Sequence, residues 1–126
     1  MSTSCVTGIH HDHDVYSAQC PCRAVLDLLA NKWSALAIGA LEHGPRRFGD
    51  LQRTLQGISP KVLTQTLRRL ETYGFVSRTV YPAIPLHVDY ALTDLGERAA
   101  VPMRMLRDWV ETNMDEIVPR GCDPAV

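Results

Sequence analysis

The sequence predicts an α+β fold, mostly helical, in which a helix-turn-helix runs straight into a two-stranded wing. Three observations over residues 48–93 carry that expectation. FGDLQRTL spaces its apolar residues as a short amphipathic helix, and after the connector QGI the stretch SPKVLTQTLRRLETYG reads as a longer, capped one. FVSRTVY and LHVDYALT then read as strands on either side of the proline-bounded loop PAIP. Elements in that order make a shape suited to reading duplex DNA.

Residues 1–19 are polar, poor in aromatics and without apolar periodicity, as expected of a flexible N-terminal arm. From Arg23, the residues Val25, Leu26, Leu28 and Leu29 give a short helix an apolar face, and it ends near Asn31. Trp33, Leu36, Ala37, Ala40 and Leu41 continue at helical spacing until Gly44-Pro45 stops the second helix. Arg46 to Phe48 is a candidate third strand for the wing sheet. Phe48, Leu51 and Leu55 form the inner stripe of the next helix, and Gly57 supplies the turn. Ser59 before Pro60 is a strong start signal, a hydroxyl N-cap followed by proline at the first helical position, and Gly74 closes that helix.

In the strand at 86–92, Leu86, Val88, Tyr90 and Leu92 alternate with His87, Asp89 and Ala91, the period of a strand with one buried face. Thr93 caps the last helical region, where Asp94 and Glu97 suit the helix dipole. Leu95, Ala99, Met103, Leu106, Val110, Met114 and Ile117 keep helical spacing over about six turns, with Trp109 beside them. Pro102 is expected to kink this region or split it into two helices. An apolar stripe of that length exceeds what one small core covers, so a second copy of the chain is expected against it. The expected organisation is a flexible arm at 1–19, a winged helix-turn-helix domain with flanking dimerisation helices at 20–118, and a C-terminal tail at 119–126.

A length of 126 residues suits one domain with a modest core, and 45% hydrophobic with 21% charged residues is ordinary for a soluble protein. No apolar run approaches the roughly 20 residues that span a bilayer, and MSTSCVTGIHHDHD lacks the features of a signal peptide. A cytoplasmic location and no membrane partner are the expectation. The net charge of −1 conceals an uneven distribution: residues 1–42 carry −2, residues 43–85 carry +5, and residues 86–126 carry −4. Positive charge is concentrated where the DNA-reading shape lies, as the phosphate backbone requires.

On a helical wheel at about 100° per residue, Leu63, Leu67 and Leu70 fall on one side, flanked by Thr66 and Tyr73. Lys61, Gln65 and Arg68 fall opposite, with Thr64 and Arg69 to the sides. Glutamine bonds an adenine edge, arginine a guanine, and threonine meets a thymine methyl. Ser59 and Lys61 at the helix start are further candidates for DNA contact. Arg78 on the first wing strand and Ala83, Ile84 and His87 around the wing tip are placed for the minor groove, and Arg46 and Arg47 for phosphates. Each of these side chains would look the same as a solvated surface residue; the helix-turn-helix and wing around them favour the DNA role.

These residues resemble the HxlR-type family of bacterial winged-helix regulators, relatives of the MarR group. The matching phrases are CPCRAVLDLLANKW, GPRRFGDLQRTLQGIS and KVLTQTLRRLETYGFVSRTVYPAIPLHVDYALTDLGE, covering about Cys20 to Trp109. The resemblance implies a homodimer built from the first and last helices, two recognition helices on a pseudo-palindromic operator in double-stranded DNA, and regulation of an adjacent gene. It also implies that Cys20, in the Cys-Pro pair, senses electrophiles or oxidants, which would then be the inducer. Cys22 stands where many members carry an aliphatic residue, so this chain has an extra thiol.

Without the resemblance, Cys20 has two readings. Its place before Pro21 at a helix start lets backbone amides and the dipole favour a reactive thiolate, and its size equally suits a buried hydrophobe. Cys22 is a candidate resolving thiol, although a Cys-x-Cys ring is strained and Cys122 of a second copy is an equal candidate. His10, His11, Asp12 and His13 near these thiols offer zinc-type ligands, but their spacing matches no zinc module, and neither metal nor cofactor is expected. No phosphate loop, catalytic triad or redox Cys-x-x-Cys appears, so an enzyme is not expected. The expected function is sequence-specific transcription regulation, as a repressor, with sensing at Cys20. A metal- or small-ligand-responsive regulator is the alternative, and a winged helix serving protein interaction a further one.

Overall fold

The structure, a computed structural model, describes residues 13–117; residues 1–12 and 118–126 lie outside the described part. In chain order the elements are α1 (Cys22–Leu29), α2 (Lys32–Leu41), β1 (Arg46–Arg47), α3 (Phe48–Thr54), α4 (Pro60–Thr72), β2 (Val76–Tyr81), β3 (His87–Leu92) and α5 (Asp94–Asn113). The strands form one antiparallel sheet in the order β1-β3-β2, so the short segment after Gly44-Pro45 does add a third strand. Residues 13–19, the inner end of the expected arm, form two turns in which Ser17 N–H donates to the Asp14 carbonyl and Cys20 N–H to the Ser17 carbonyl. No single helix among the described residues is long and apolar enough to cross a membrane.

α2 is the centre of the molecule and packs against α1, α3, α4, β3 and α5. Its sequence KWSALAIGAL buries Ser34, Ala37, Ile38, Ala40 and Leu41, the composition of a helix covered on most sides. Asn31 starts it by accepting hydrogen bonds from Trp33 N–H and Ser34 N–H. Around it Leu28, Leu51, Leu63, Leu67 and Leu70 converge as the fully buried core, with Phe75, Val76, Ala100 and Met103 closing one end.

α4 begins and ends where the sequence marks it. Ser59 Oγ accepts from Val62 N–H at 3.1 Å and Pro60 opens the first turn. At the other end, Gly74 takes a φ of +86°. There Phe75 N–H reaches the Leu70 carbonyl and Gly74 N–H the Glu71 carbonyl, a Schellman ending that turns the chain directly into β2.

α5 is fastened to the wing at its first turn. Thr93 Oγ1 donates to the Gly74 carbonyl at 2.6 Å and accepts from Gly96 N–H at 3.0 Å. Thr93 N–H donates to the Phe75 carbonyl. A Cβ at Gly96 would lie 2.0 Å from that same Phe75 oxygen, so only glycine permits this approach. Further along, Arg104 and Arg107 both donate to the Glu42 carboxylate at the end of α2, at 3.0 and 3.2 Å. Burial pushes the Glu42 carboxyl up, but these two guanidiniums outweigh it and hold it below its ordinary value.

Of the two outcomes expected at Pro102, splitting does not occur: α5 runs unbroken from Asp94 to Asn113 with the proline inside it. Its neighbours α2 and β3 hold it by the residues that face them, which compensates for the one backbone donor that proline lacks. The alternation at 86–92 does not give one buried face either, since every residue of β3 is half-buried and Leu86 is exposed. Only the lower part of β3, at Tyr90 and Leu92, packs on the core; beyond it the hairpin projects from the body and both faces meet solvent.

The apolar stripe of α5 meets the core at Ala99 and Met103 and is open to solvent beyond them. The inward residues are Gly96, Ala100 and Met103, while Leu106 (62% exposed), Trp109 (57%) and Met114 (51%) lie outside. Gly96 and Ala100 face inward where the helix approaches Phe75 and α2 closely, and past Met103 the large residues lie on the surface. Replacing Gly96 with alanine should cost about 1–3 kcal/mol by overpacking against backbone. Urea unfolding measures this, and a midpoint within error of the parent would show that the junction yields.

Candidate nucleic-acid interface

The exposed face of α4 carries Lys61, Gln65, Arg68 and Arg69, and Leu63, Thr66, Leu67 and Leu70 are buried beneath it. Thr64 is half-buried at the edge. Two hollows border the helix. Thr64, Leu67, Arg68 and Glu71 meet Arg78 and Tyr90 of the wing on one flank. On the other, Gln65, Thr66 and Arg69 meet Asn31, Trp33 and Ser34 of the α1–α2 corner. Arg68 therefore looks toward the wing and Gln65 toward the first helices, with the outer surface of α4 between them. Ser59 spends one acceptor lone pair on its cap, which leaves its hydroxyl proton and a second lone pair for a ligand.

Sheet register sorts the arginines in a way that sequence spacing does not. Arg46 pairs with Tyr90, and Tyr90 with Arg78, so these three share one row and one face of the sheet. That face lies under α4, where Arg78 and Tyr90 line the same hollow as Arg68. Arg47, Asp89 and Thr79 form the next row and point to the opposite face. Arg46 and Arg47, grouped together in the sequence, thus serve different surfaces. Arg46 Nη1 also donates to Thr54 Oγ1 at 3.4 Å, and that hydroxyl in turn donates to the Asp50 carbonyl, which sets the guanidinium beside α3. Arg53 is held by Asp50 on its own helix.

At the end of the wing His87 stacks on Tyr81, with ring centroids 4.8 Å apart, at the base of the loop. Ile84 at the tip is fully exposed, and Leu86, Val80 and Tyr81 are exposed beside it. The wing thus ends in apolar and aromatic surface, with its charge set back at Arg78.

A second cluster lies at the start of α1. Cys20 is buried, Cys22 is half-buried as the first residue of the helix, and Pro21 is its cap. The turns at 13–19 bring His13 Nδ1 to 3.9 Å from Cys20 Sγ. The Cys22 thiol is pushed above its ordinary value, first by its hydrogen bond with Cys20 and then by burial. Cys5, His10, His11, Asp12 and Cys122 fall outside the described residues. The sequence shows the histidine run near the two thiols, but nothing in it singles out His13. The Glu42–Arg104–Arg107 clamp has no sequence signal either, since nothing in a sequence joins charges that far apart.

A capped recognition helix on a helix-turn-helix, with a three-stranded wing beside it, defines a winged helix-turn-helix transcription regulator that binds DNA. The chain belongs to the HxlR-like helix-turn-helix family, which matches residues 28–118. It is similar to the HTH-type transcriptional regulator YtfH of Escherichia coli K12, 42% identical over 83% of each chain. The solved structure of YtfH from Salmonella typhimurium is 41% identical and superposes with a TM-score of 0.79, over 83% of this chain and 94% of that one. The redox regulator HypR in its oxidised form is 33% identical with a TM-score of 0.69, over 75% of this chain and 97% of that one.

Proposed function

We propose that the chain acts as a homodimeric repressor whose hold on a pseudo-palindromic operator is released when Cys20 reacts with an oxidant or electrophile, and that it has no catalytic activity of its own. The observation that carries the sensing part is the position of Cys20. Its sulfur is buried at the entry to α1, beside Cys22 and His13, and it borders a hollow shared with the exposed Leu26 of α1. The name of HypR, a redox regulator of the same fold, supports the same reading.

For the operator, Gln65 and Arg68 are the base-reading pair, with Lys61, Thr64 and Ser59 completing the face of α4. Arg46, Arg47 and Arg78 hold phosphates from the two faces of the sheet, and His87 borders the minor groove with the wing tip. Alanine at Gln65 or Arg68 should weaken operator binding by about 1–3 kcal/mol and relax sequence preference. Alanine at Arg46 should weaken all sequences alike and flatten the dependence on salt. Titration of operator and scrambled duplexes at several salt concentrations separates the two. Unchanged discrimination by Arg68→Ala would refute the base-reading role, and a salt-independent affinity would favour a protein-interaction module instead.

The dimer rests on the exposed stripe of α5 and the apolar groove it forms with Leu29, Leu36 and Met103. Leu106 lies outside the core, so Leu106→Glu should leave the fold intact, yield monomers in light scattering, and abolish binding to half-sites about 34 Å apart. A parent chain that runs as a monomer at micromolar concentration would overturn the dimer.

The switch involves simple sulfur chemistry. A quinone adds to the Cys20 sulfur by forming an S–C bond, and the thiol proton ends on the quinone oxygen. Diamide takes two electrons and two protons from two thiols as an S–S bond forms. Either product must find room at a buried position at the start of α1, which biases the spacing of the two recognition helices. Cys20→Ser should bind the operator as the parent does and lose the response to quinone and diamide in a gel-shift titration. Release of DNA by the treated Cys20→Ser protein would rule the switch out.

A further inference from the structure

We propose that His13, Cys20 and Cys22 form a zinc site at the start of α1. The imidazole nitrogen and the two sulfurs all lie within 4.8 Å of one another. In tetrahedral zinc coordination, bonds of about 2.3 Å to sulfur and 2.0–2.1 Å to nitrogen place donors about 3.6–3.8 Å apart. The Cys20 Sγ to His13 Nδ1 separation of 3.9 Å is already close to that edge. A few tenths of an ångström of side-chain movement would therefore close that edge on an ion.

The backbone that carries the donors is held independently of them. Ser17 N–H donates to the Asp14 carbonyl at 3.0 Å, Cys20 N–H to the Ser17 carbonyl at 3.2 Å, and Arg23 N–H to the Cys20 carbonyl at 3.1 Å. Asp14 Oδ1 further accepts from Tyr16 N–H, which fixes the turn after His13. A site of this kind is largely formed before the ion arrives.

The donor chemistry selects the ion class. Two thiolates and an imidazole favour zinc over magnesium or calcium, which require oxygen. Binding expels the two thiol protons to solvent, and the two thiolate charges then neutralise Zn²⁺. A neutral complex suits a place where Cys20 is buried, and bare charge would not be tolerated there. Three protein ligands leave the fourth position open to water or a further donor. The site does not depend on the sensing role proposed for Cys20. It does compete with it, because a sulfur lone pair bonded to zinc is withdrawn from quinone or oxidant.

Cobalt(II) as a spectroscopic substitute tests the proposal on the reduced, metal-free full chain under anaerobic conditions, without DNA. The expected result is one cobalt per chain, with intense visible bands of tetrahedral geometry and a near-ultraviolet thiolate-to-cobalt charge transfer. One equivalent of zinc should displace it. Cys22→Ser, checked for folding by circular dichroism, should lose the charge transfer, and His13→Ala should weaken zinc by at least about tenfold in competition with a chromogenic chelator. Cys5→Ser, Cys122→Ser and the His10→Ala/His11→Ala pair should keep the bands. Absence of charge transfer in the parent, bands that persist in Cys22→Ser, or loss of the bands in Cys5→Ser, Cys122→Ser or the His10/His11 variant would each overturn this site. None of these outcomes bears on whether Cys20→Ser loses its response to quinone.

Discussion

The burial of α2 on nearly all its sides is the constraint on which the rest of the structure depends. Five other elements reach it, and they can do so only because its surface is built largely from small residues: Ala35, Ala37, Gly39 and Ala40. At Gly39 a Cβ would lie 2.8 Å from the Arg107 guanidinium, so the arginine crosses the helix at the point where the side chain is missing. Glu42 receives it one turn further on, and the recognition helix docks against the same cylinder. The DNA-facing and α5 sides of the molecule are therefore set relative to each other through one shared helix.

Local grammar was the most legible part of the sequence. Ser59-Pro60 and Gly74 bound α4 because capping needs only neighbouring residues, and the buried leucines of α4 follow the helical period directly. Long-range packing was not legible. The length of the α5 stripe showed that one core could not cover it, but not that Gly96 and Ala100 would face that core, because only the folded chain reveals how closely Phe75 approaches. Pro102 breaks an isolated helix, but tertiary packing holds this one together. The period-two pattern of β3 was real, and its burial failed where the hairpin leaves the body.

The candidate interface divides in the same way. The basic middle of the chain and the outward face of α4 could be counted and rotated from sequence. The row Arg46–Tyr90–Arg78 could not, since it exists only once strand register is known, and that register separates two adjacent arginines onto opposite surfaces. The cluster at α1 lay between these extremes. Its residue types stood in plain view, while the selection of His13 depends on two turns that no periodic pattern announces.

The fusion of Thr93 and Gly96 to the backbone of residues 74 and 75 makes α5 a lever with its fulcrum at the root of the wing. A 20-residue helix extends about 30 Å from that root, so a tilt of about 5° moves its far end by about 3 Å. The relation runs both ways, because the threonine hydrogen bonds and the close glycine join the helix directly to the wing backbone. A small displacement where Trp109 and Met114 stand thus bears both on the root of β2 and β3 and on the Glu42 clamp that ties the middle of α5 to α2.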